Sequence, residues 1–208
     1  MEATVAAGPA ACRERWVGRD GEATLHLVLA QRFGLMPHQR VQVINNTSLV
    51  TDLAGIVLQQ RDLRDGMLLD VDMRAADCRA ARLSDVLIQC AKADTADFGH
   101  AQFDDVFFWK SSVRGASFAD ALLHKVTFEE SCLAGTSFAR AALHGVRFHS
   151  LDLSGCDFDG ARFDDCNFFD VRIDERHRAR LEGMGRAACR LSRVSWMASS
   201  VRSEQPVV

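Results

Sequence analysis

The chain has 208 residues, of which 48% are hydrophobic and 25% are charged, and its formal net charge is −3. This composition is typical of a soluble globular protein with enough chain for a substantial buried core. No stretch approaches the roughly 18 consecutive apolar residues of a membrane helix, so the composition excludes a helical membrane protein.

The first 50 residues are predicted to form a small α/β cap on the rest of the chain. Met1–Cys12 is rich in alanine but lacks the basic region and apolar block of a classical export signal. We therefore expect a cytoplasmic protein, or one exported by a route that needs no such signal. Ala23–Phe33 has helical spacing of its apolar residues, Pro37 follows, and Val41–Ile44 is typical of a short extended run. The apolar residues of the predicted helix are Leu25, Val28, Leu29 and Phe33.

Residues 51–175 consist of a five-residue repeat. Written in fives from Thr51, the sequence gives 25 units without an insertion, and the third place of every unit is apolar. The first place is mostly Ala, Val, Ser, Thr or Cys, whereas the second, fourth and fifth places carry most of the charges. A helix repeats near 3.6 residues and a strand near 2, so this period requires a chain that turns a corner once per unit.

The repeated units resemble the pentapeptide-repeat family, whose loose consensus is A(D/N)LXX. The resemblance implies an all-β fold, a right-handed quadrilateral β-helix with four units per coil, here of about six coils over residues 51–175. A rod of six coils is on the order of 30 Å long. The family includes gyrase-binding quinolone-resistance proteins, effectors delivered into host cells and members without an assigned role, so it indicates the fold more strongly than the function.

Four units per coil would place residues 20 apart directly above one another. This register sorts the third-place residues into four columns, of which two facing columns are rich in phenylalanine. One contains Leu58, Cys78, Phe98, Phe118, Phe138 and Phe158, and the other contains Leu68, Ile88, Phe108, Phe128, Phe148 and Phe168. Smaller aliphatic columns flank them, as the packing of a narrow β core requires.

Residues 176–208 are predicted to be a basic C-terminal helix and tail. Leu181, Met184, Ala188 and Leu191 would share one face of this helix, with arginines elsewhere. The resemblance implies a homodimer through this face, because a C-terminal helix mediates dimerisation in gyrase-binding relatives. An intramolecular cap on the last coil is an equal alternative.

The sequence predicts no enzyme, no cofactor and no metal site. It has no P-loop, no GxGxxG after a strand, no HExxH and no GxSxG. His124 and His144 would lie one coil apart on the same face, but two ligands are too few for a metal site. The seven cysteines form no CxxC pair and are expected to be reduced, with Cys156 and Cys166 packed inward.

Charge is unevenly distributed along the chain. Residues 51–175 hold 22 acidic and 13 basic residues, a net charge of −9, whereas residues 176–208 have a net charge of +5. An acidic rod could imitate duplex DNA in a basic saddle of DNA gyrase. However, 30 Å of duplex carries about 18 negative charges, twice the charge of this rod. The acidity also argues against direct nucleic-acid binding by the coils.

Apolar residues occupy several places that should face water. They are Met67, Leu69, Leu87, Phe107, Trp109 and Phe169, and the first five fall within three successive coils. Such a concentration marks either a protein interface or a surface that another part of the chain covers. The two explanations are a docking site anchored by Phe107 and Trp109, and coverage by the N-terminal segment.

Together these features predict a non-catalytic interaction or scaffold protein that binds a protein partner through the β-helix surface. A DNA-mimicking protein that binds gyrase or topoisomerase, of the quinolone-resistance type, is one alternative. A secreted effector or secretion-system accessory protein is another, and it rests on the breadth of the family alone.

Overall fold

The computed structural model describes residues 52–198, together with Glu14, Trp16, Gly18, Gly21, Ala23 and Thr24. It is a parallel β-solenoid of about seven turns with short helices near the C-terminus. The strands are β1 (Asp62–Leu69), β2 (Arg82–Gln89), β3 (Gln102–Trp109), β4 (Leu122–His124), β5 (Thr127–Glu129), β6 (Ala142–His144), β7 (Arg147–Asp152), β8 (Arg162–Asp164), β9 (Cys166–Asp174) and β10 (Cys189–Met197). A 3-10 helix (Glu175–His177), α1 (Arg178–Gly183) and α2 (Gly185–Ala188) separate β9 from β10.

The predicted register of 20 residues is confirmed throughout β1 to β9. Leu63 pairs with Leu83, which pairs with Phe103, and the isolated bridges on the other two sides repeat the same interval, as in Asp52 with Asp72. Every strand pair is parallel, and consecutive coils therefore place equivalent residues next to each other. Each coil consists of four units and has four faces.

The corner of each unit is a residue with left-handed backbone. Every fifth place from Gly55 to Asp170 has a positive φ, between 48° and 74°. This conformation costs an L-residue about 1–2 kcal/mol, and Gly, Asn and Asp tolerate it best. The cost is offset because the amide of the corner residue donates to the next coil, as from Gln60 N to Arg79 O at 3.0 Å. The five-residue period is therefore the spacing of corners.

The two predicted phenylalanine columns are confirmed. Phe98 and Phe118 stack with ring centroids 4.9 Å apart, and Phe108 and Phe128 stack at 4.8 Å. Between the columns, rings meet edge to face, as Phe118 and Phe128 do at 5.8 Å and 87°. These geometries suit the quadrupole of the aromatic ring.

Polar first-place residues lie inside the coil and bond to the backbone. The hydroxyl of Thr136 donates to Val113 O at 2.8 Å, and that of Ser111 donates to Ile88 O at 3.1 Å. The Cys156 thiol likewise donates to Leu133 O at 3.1 Å. Burial raises the pKa of Cys156 to about 12. Inward packing of Cys156 and Cys166 is thus confirmed, and both are fully buried.

The C-terminal elements cover the last coil. Leu181 is buried against the core, and the Arg180 guanidinium donates to the Phe158 carbonyl at 2.7 Å and to that of Ala161. Arg176 donates to the Cys156 carbonyl at 2.7 Å. Carbonyls that would otherwise lack partners at the end of the solenoid are thereby satisfied. These contacts favour the cap over the dimer face, and the homodimer stays a prediction.

The predicted extent of the C-terminal helix was wrong. Gly185 has a φ of 75°, which interrupts the helix after α1, and the chain becomes extended at Cys189. Leu191 therefore lies in β10 and does not share a helix face with Leu181. β10 pairs with the open edge of β9, with Cys189 opposite Cys166, and this added strand extends the solenoid beyond the predicted six coils.

Trp16 joins the N-terminal segment to the first coil. Its side chain is buried with the core residues, and its indole N–H donates to the Ala54 carbonyl at 2.9 Å. The capping role of residues 1–50 stays a prediction. The predicted helix residues Leu25, Val28, Leu29 and Phe33 and the extended run Val41–Ile44 lie outside the described residues.

A glycine at a corner should stabilise the protein. Ala80 is exposed and has a φ of 55°, so we expect Ala80→Gly to raise the free energy of unfolding by about 0.5–1 kcal/mol, the relief of left-handed strain less the added chain entropy. Urea unfolding measures this. The matched control Ala134→Gly, at an exposed fourth place, should lower stability instead. Equal changes in both variants would contradict the strain argument.

The buried thiols should be inert in the folded protein. At pH 8 we expect a thiol reagent to modify exposed Cys90 and half-buried Cys132 but to leave Cys156, Cys166 and Cys189 unmodified until the protein unfolds. Burial raises the pKa of all three, that of Cys189 to about 12. Peptide mapping after labelling identifies the sites. Rapid labelling of Cys156 in the native state would show that the solenoid opens locally.

Candidate partner-binding face

The fourth face of the solenoid is formed by residues 66–70 and their equivalents in later coils. Its outward side chains form two columns along the solenoid. The second-place column contains Met67, Leu87, Phe107, Thr127, Arg147 and Asn167, and the fourth-place column contains Leu69, Gln89, Trp109, Glu129, His149 and Phe169. Residues next to each other in a column are one strand spacing apart, about 4.8 Å.

Five of the predicted interface residues form one apolar patch. Met67, Leu87 and Phe107 are consecutive in the second-place column, and Leu69 and Trp109 lie beside them in the other. All five are half-buried. Lys110 Nζ lies 4.8 Å from the centre of the Trp109 ring. This cation–π contact places the ammonium charge at the edge of the apolar patch.

Phe169 lies apart from the other five. Three strand intervals separate it from Trp109 in the same column, with Glu129 and His149 between them. Phe169 is 36% exposed, and its ring meets the His149 ring edge to face at 5.1 Å and has the Arg193 guanidinium 5.7 Å from its centre. The six residues predicted from sequence thus share one face, but Phe169 belongs to a different part of it.

A shallow cleft of about 280 Å³ adjoins Phe169 on the same face. Its walls are the two columns, and the chain of β5, β7 and β9 is its floor. The lining residues are Thr127, Glu129, Arg147, Phe148, His149, Asn167 and Phe169. Sequence reasoning missed Arg147, His149 and Asn167, because polar residues are ordinary at outward places. Only the 20-residue register could have indicated that they adjoin Phe169.

His124 and His144 stack as predicted, on the neighbouring third face. Their rings are parallel, at 11°, with centroids 5.1 Å apart. Each Nδ1 faces a carboxylate, that of Asp104 at 2.6 Å and that of Asp164 at 2.7 Å. A metal ion lies in the plane of a ligating imidazole, and parallel planes do not converge on one ion. Among the described residues no group of three His, Cys, Asp or Glu is placed to hold a metal.

Many carboxylates of the coils are neutralised locally. Arg79 bonds to Asp77 at 2.8 Å, and the Arg140 guanidinium holds Asp120 at 2.6 Å. Hydrogen bonding to Arg140 lowers the pKa of Asp120. Further pairs are Arg64 with Asp62, Arg74 with Asp72, Arg172 with Asp152 and Arg190 with Asp165. The surface is therefore less uniformly negative than the net charge suggests.

None of the helices in the described part has the length and apolar character that crossing a membrane requires.

The model of the pentapeptide-repeat family, described as "Pentapeptide repeats", matches eight copies over residues 121–160 and 131–168. No curated protein matches the sequence.

Solved structures similar to the chain are pentapeptide-repeat proteins of low sequence identity. QnrB1, a plasmid-mediated fluoroquinolone resistance protein, is 12% identical with a TM-score of 0.35, over 70% of this chain and 89% of that one. Rfr23 from the cyanobacterium Cyanothece 51142 is 13% identical with a TM-score of 0.32, over 71% and 92%. HetL from Nostoc sp. strain PCC 7120, involved in heterocyst differentiation regulation, is 12% identical with a TM-score of 0.26, over 72% and 91%. Likeness at this level says nothing about what the chain binds.

The five-residue period, the parallel 20-residue register and the matching family model agree with one another. The pentapeptide-repeat family model matches within residues 121–168, and the same five-residue period runs through residues 51–175.

Proposed function

We propose that the chain is a non-catalytic interaction protein whose fourth face docks a protein partner through the apolar patch. The observation that carries this proposal is the concentration of Met67, Leu69, Leu87, Phe107 and Trp109 at outward places of three successive coils. Elsewhere in the repeat these places are mostly polar. Pentapeptide-repeat proteins are generally non-enzymatic structural or interaction proteins, which supports a role without catalysis.

The physical character of the patch suits a binding site. Aromatic side chains dominate interface energetics, and Trp109 beside Phe107 offers a compact anchor. Both project from β3, whose backbone is paired on both edges, with β2 on one side and β4 and β5 on the other. A surface held this rigidly loses little conformational entropy when a partner binds.

Removing the anchor should abolish binding without unfolding the protein. We expect Trp109→Ala to lower the free energy of unfolding by less than about 1.5 kcal/mol, because the side chain is only half-buried, yet to reduce partner affinity at least tenfold. The partner is captured from a lysate of the source organism at high salt, identified by mass spectrometry and then titrated in purified form. The control is Leu122→Ala, a lone leucine on the third face that is 52% exposed.

Two results would contradict this proposal. A large loss of stability in Trp109→Ala would mean that the patch is packed against other parts of the chain. A purified partner that binds wild type and Trp109→Ala equally would place the interface elsewhere.

Imitation of duplex DNA towards gyrase is a second candidate, favoured by the net charge of −9 over residues 51–175. The local ion pairs weaken the case for DNA mimicry, because a carboxylate that is already paired with an arginine attracts a basic saddle less strongly. Binding of this kind would weaken steeply with salt, whereas binding through the apolar patch would scarcely change.

A further inference from the structure

The cleft on the fourth face contains a cation without an acidic partner. Arg147 lies between Thr127 and Asn167 in the second-place column and is exposed. Within residues 52–198, its guanidinium forms no ion pair, unlike Arg79 with Asp77 or Arg140 with Asp120. An arginine fork of this kind is suited to a carboxylate, which it can bind through two parallel hydrogen bonds.

Among the described residues that line this cleft, Glu129 carries the one carboxylate, and it lies next to a histidine. Glu129 Oε1 lies 3.3 Å from His149 Nδ1, in the opposite column from Arg147. The imidazole thus stands next to this carboxylate in the lining of the cleft. The remaining wall is the Phe169 ring, backed by the Arg193 guanidinium.

Asn167 adds an unsatisfied polar atom to the lining. Its Oδ1 is buried and has no hydrogen-bond partner in the part of the chain that the structure describes. A buried acceptor without a donor is costly, and native proteins generally supply one. The terminal torsion of asparagine is soft, so the amide can turn towards the cleft. A ligand with an N–H close to its carboxylate would satisfy both Asn167 and Arg147.

The cleft is continuous with the apolar patch. Phe107 is followed in its column by Thr127 and then Arg147, two strand intervals, or about 10 Å, along the solenoid. A polyproline II segment has three residues per turn and rises about 3.1 Å per residue, so its side chains three residues apart point the same way and lie about 9 Å apart. A segment lying along the face would place an apolar side chain on the patch and the side chain three residues further on at Arg147.

We propose that the cleft binds an acidic side chain of the partner, within a segment in the polyproline II conformation that carries an apolar residue at one position and Glu or Asp three residues later. This inference rests on the proposed function, because the same segment occupies the apolar patch. The carboxylate accepts from Arg147, a backbone N–H of the segment donates to Asn167, and the Phe169 ring packs against its aliphatic part.

Two synthetic peptides test the proposal by NMR titration of the full-length protein. The first is acetyl-Leu-Phe-Gly-Gly-Glu-Gly-amide, and the second has Gln in place of Glu. We expect the Glu peptide to bind about two- to fivefold more tightly, the factor that one partly exposed ion pair supplies. Arg147→Gln should abolish this preference. The control Arg162→Gln replaces an exposed second-place arginine on the third face and should preserve it.

The outcomes separate this proposal from the proposed function. Trp109→Ala should weaken both peptides by the same factor. Equal affinity for the two peptides, with both weakened in Trp109→Ala, would overturn the carboxylate site and leave the apolar docking site standing. A preference for Glu that survives Arg147→Gln, or no detectable binding of either peptide up to millimolar concentrations, would also overturn the carboxylate site. A preference for Glu with affinities unchanged in Trp109→Ala would overturn the shared segment.

Discussion

The structure depends on the left-handed residue at the fifth place of each unit. It turns the chain through one corner, four corners close a coil, and the closed coil brings residue i to within one strand spacing of residue i + 20. The hydrogen bonds between coils require that every corner is formed. The strain of the corners is therefore distributed over the whole solenoid, and these hydrogen bonds offset it. Asp and Gly are frequent at this place because they tolerate a positive φ best.

Stacking at an interval of 20 residues determines which side chains become neighbours on the surface. A side chain at an outward place has its equivalents above and below it at fixed positions, so a column is determined by residues 20 apart. Inside, the same rule stacks Phe128 between Phe108 and Phe148. Outside, it joins Met67, Leu87 and Phe107 into a patch although they are distant in sequence. The core and the candidate interface are thus consequences of one geometric constraint.

Periodic features could be predicted from the sequence, and aperiodic ones could not. The phenylalanine columns and the pairing of His124 with His144 follow from the repeat alone. The position of Leu191 in a strand could not be predicted in this way. The helical spacing of apolar residues continues through Leu191, whereas Gly185 and the open edge of β9 favour a strand there. The cleft was missed for a related reason. Arg147 and His149 are ordinary polar residues at outward places, and only their position beside Phe169 and Asn167 in the cleft distinguishes them.

Local pairing of charges bears on how this surface could be selective. A carboxylate bound by a neighbouring arginine, such as Asp120 by Arg140, contributes little field beyond the Debye length and has part of its hydrogen-bonding capacity occupied. Recognition then depends on groups that have no partner within residues 52–198. On the fourth face these are an apolar patch towards one end and the Arg147 guanidinium with Asn167 Oδ1 towards the other. The columns hold the apolar patch and these polar groups on one rigid sheet, at a fixed distance from each other. A ligand that fits one of the two but has the wrong spacing therefore gains little binding energy from the other. Under the proposed function, the fixed strand interval sets the distance that the two anchors of a partner must match.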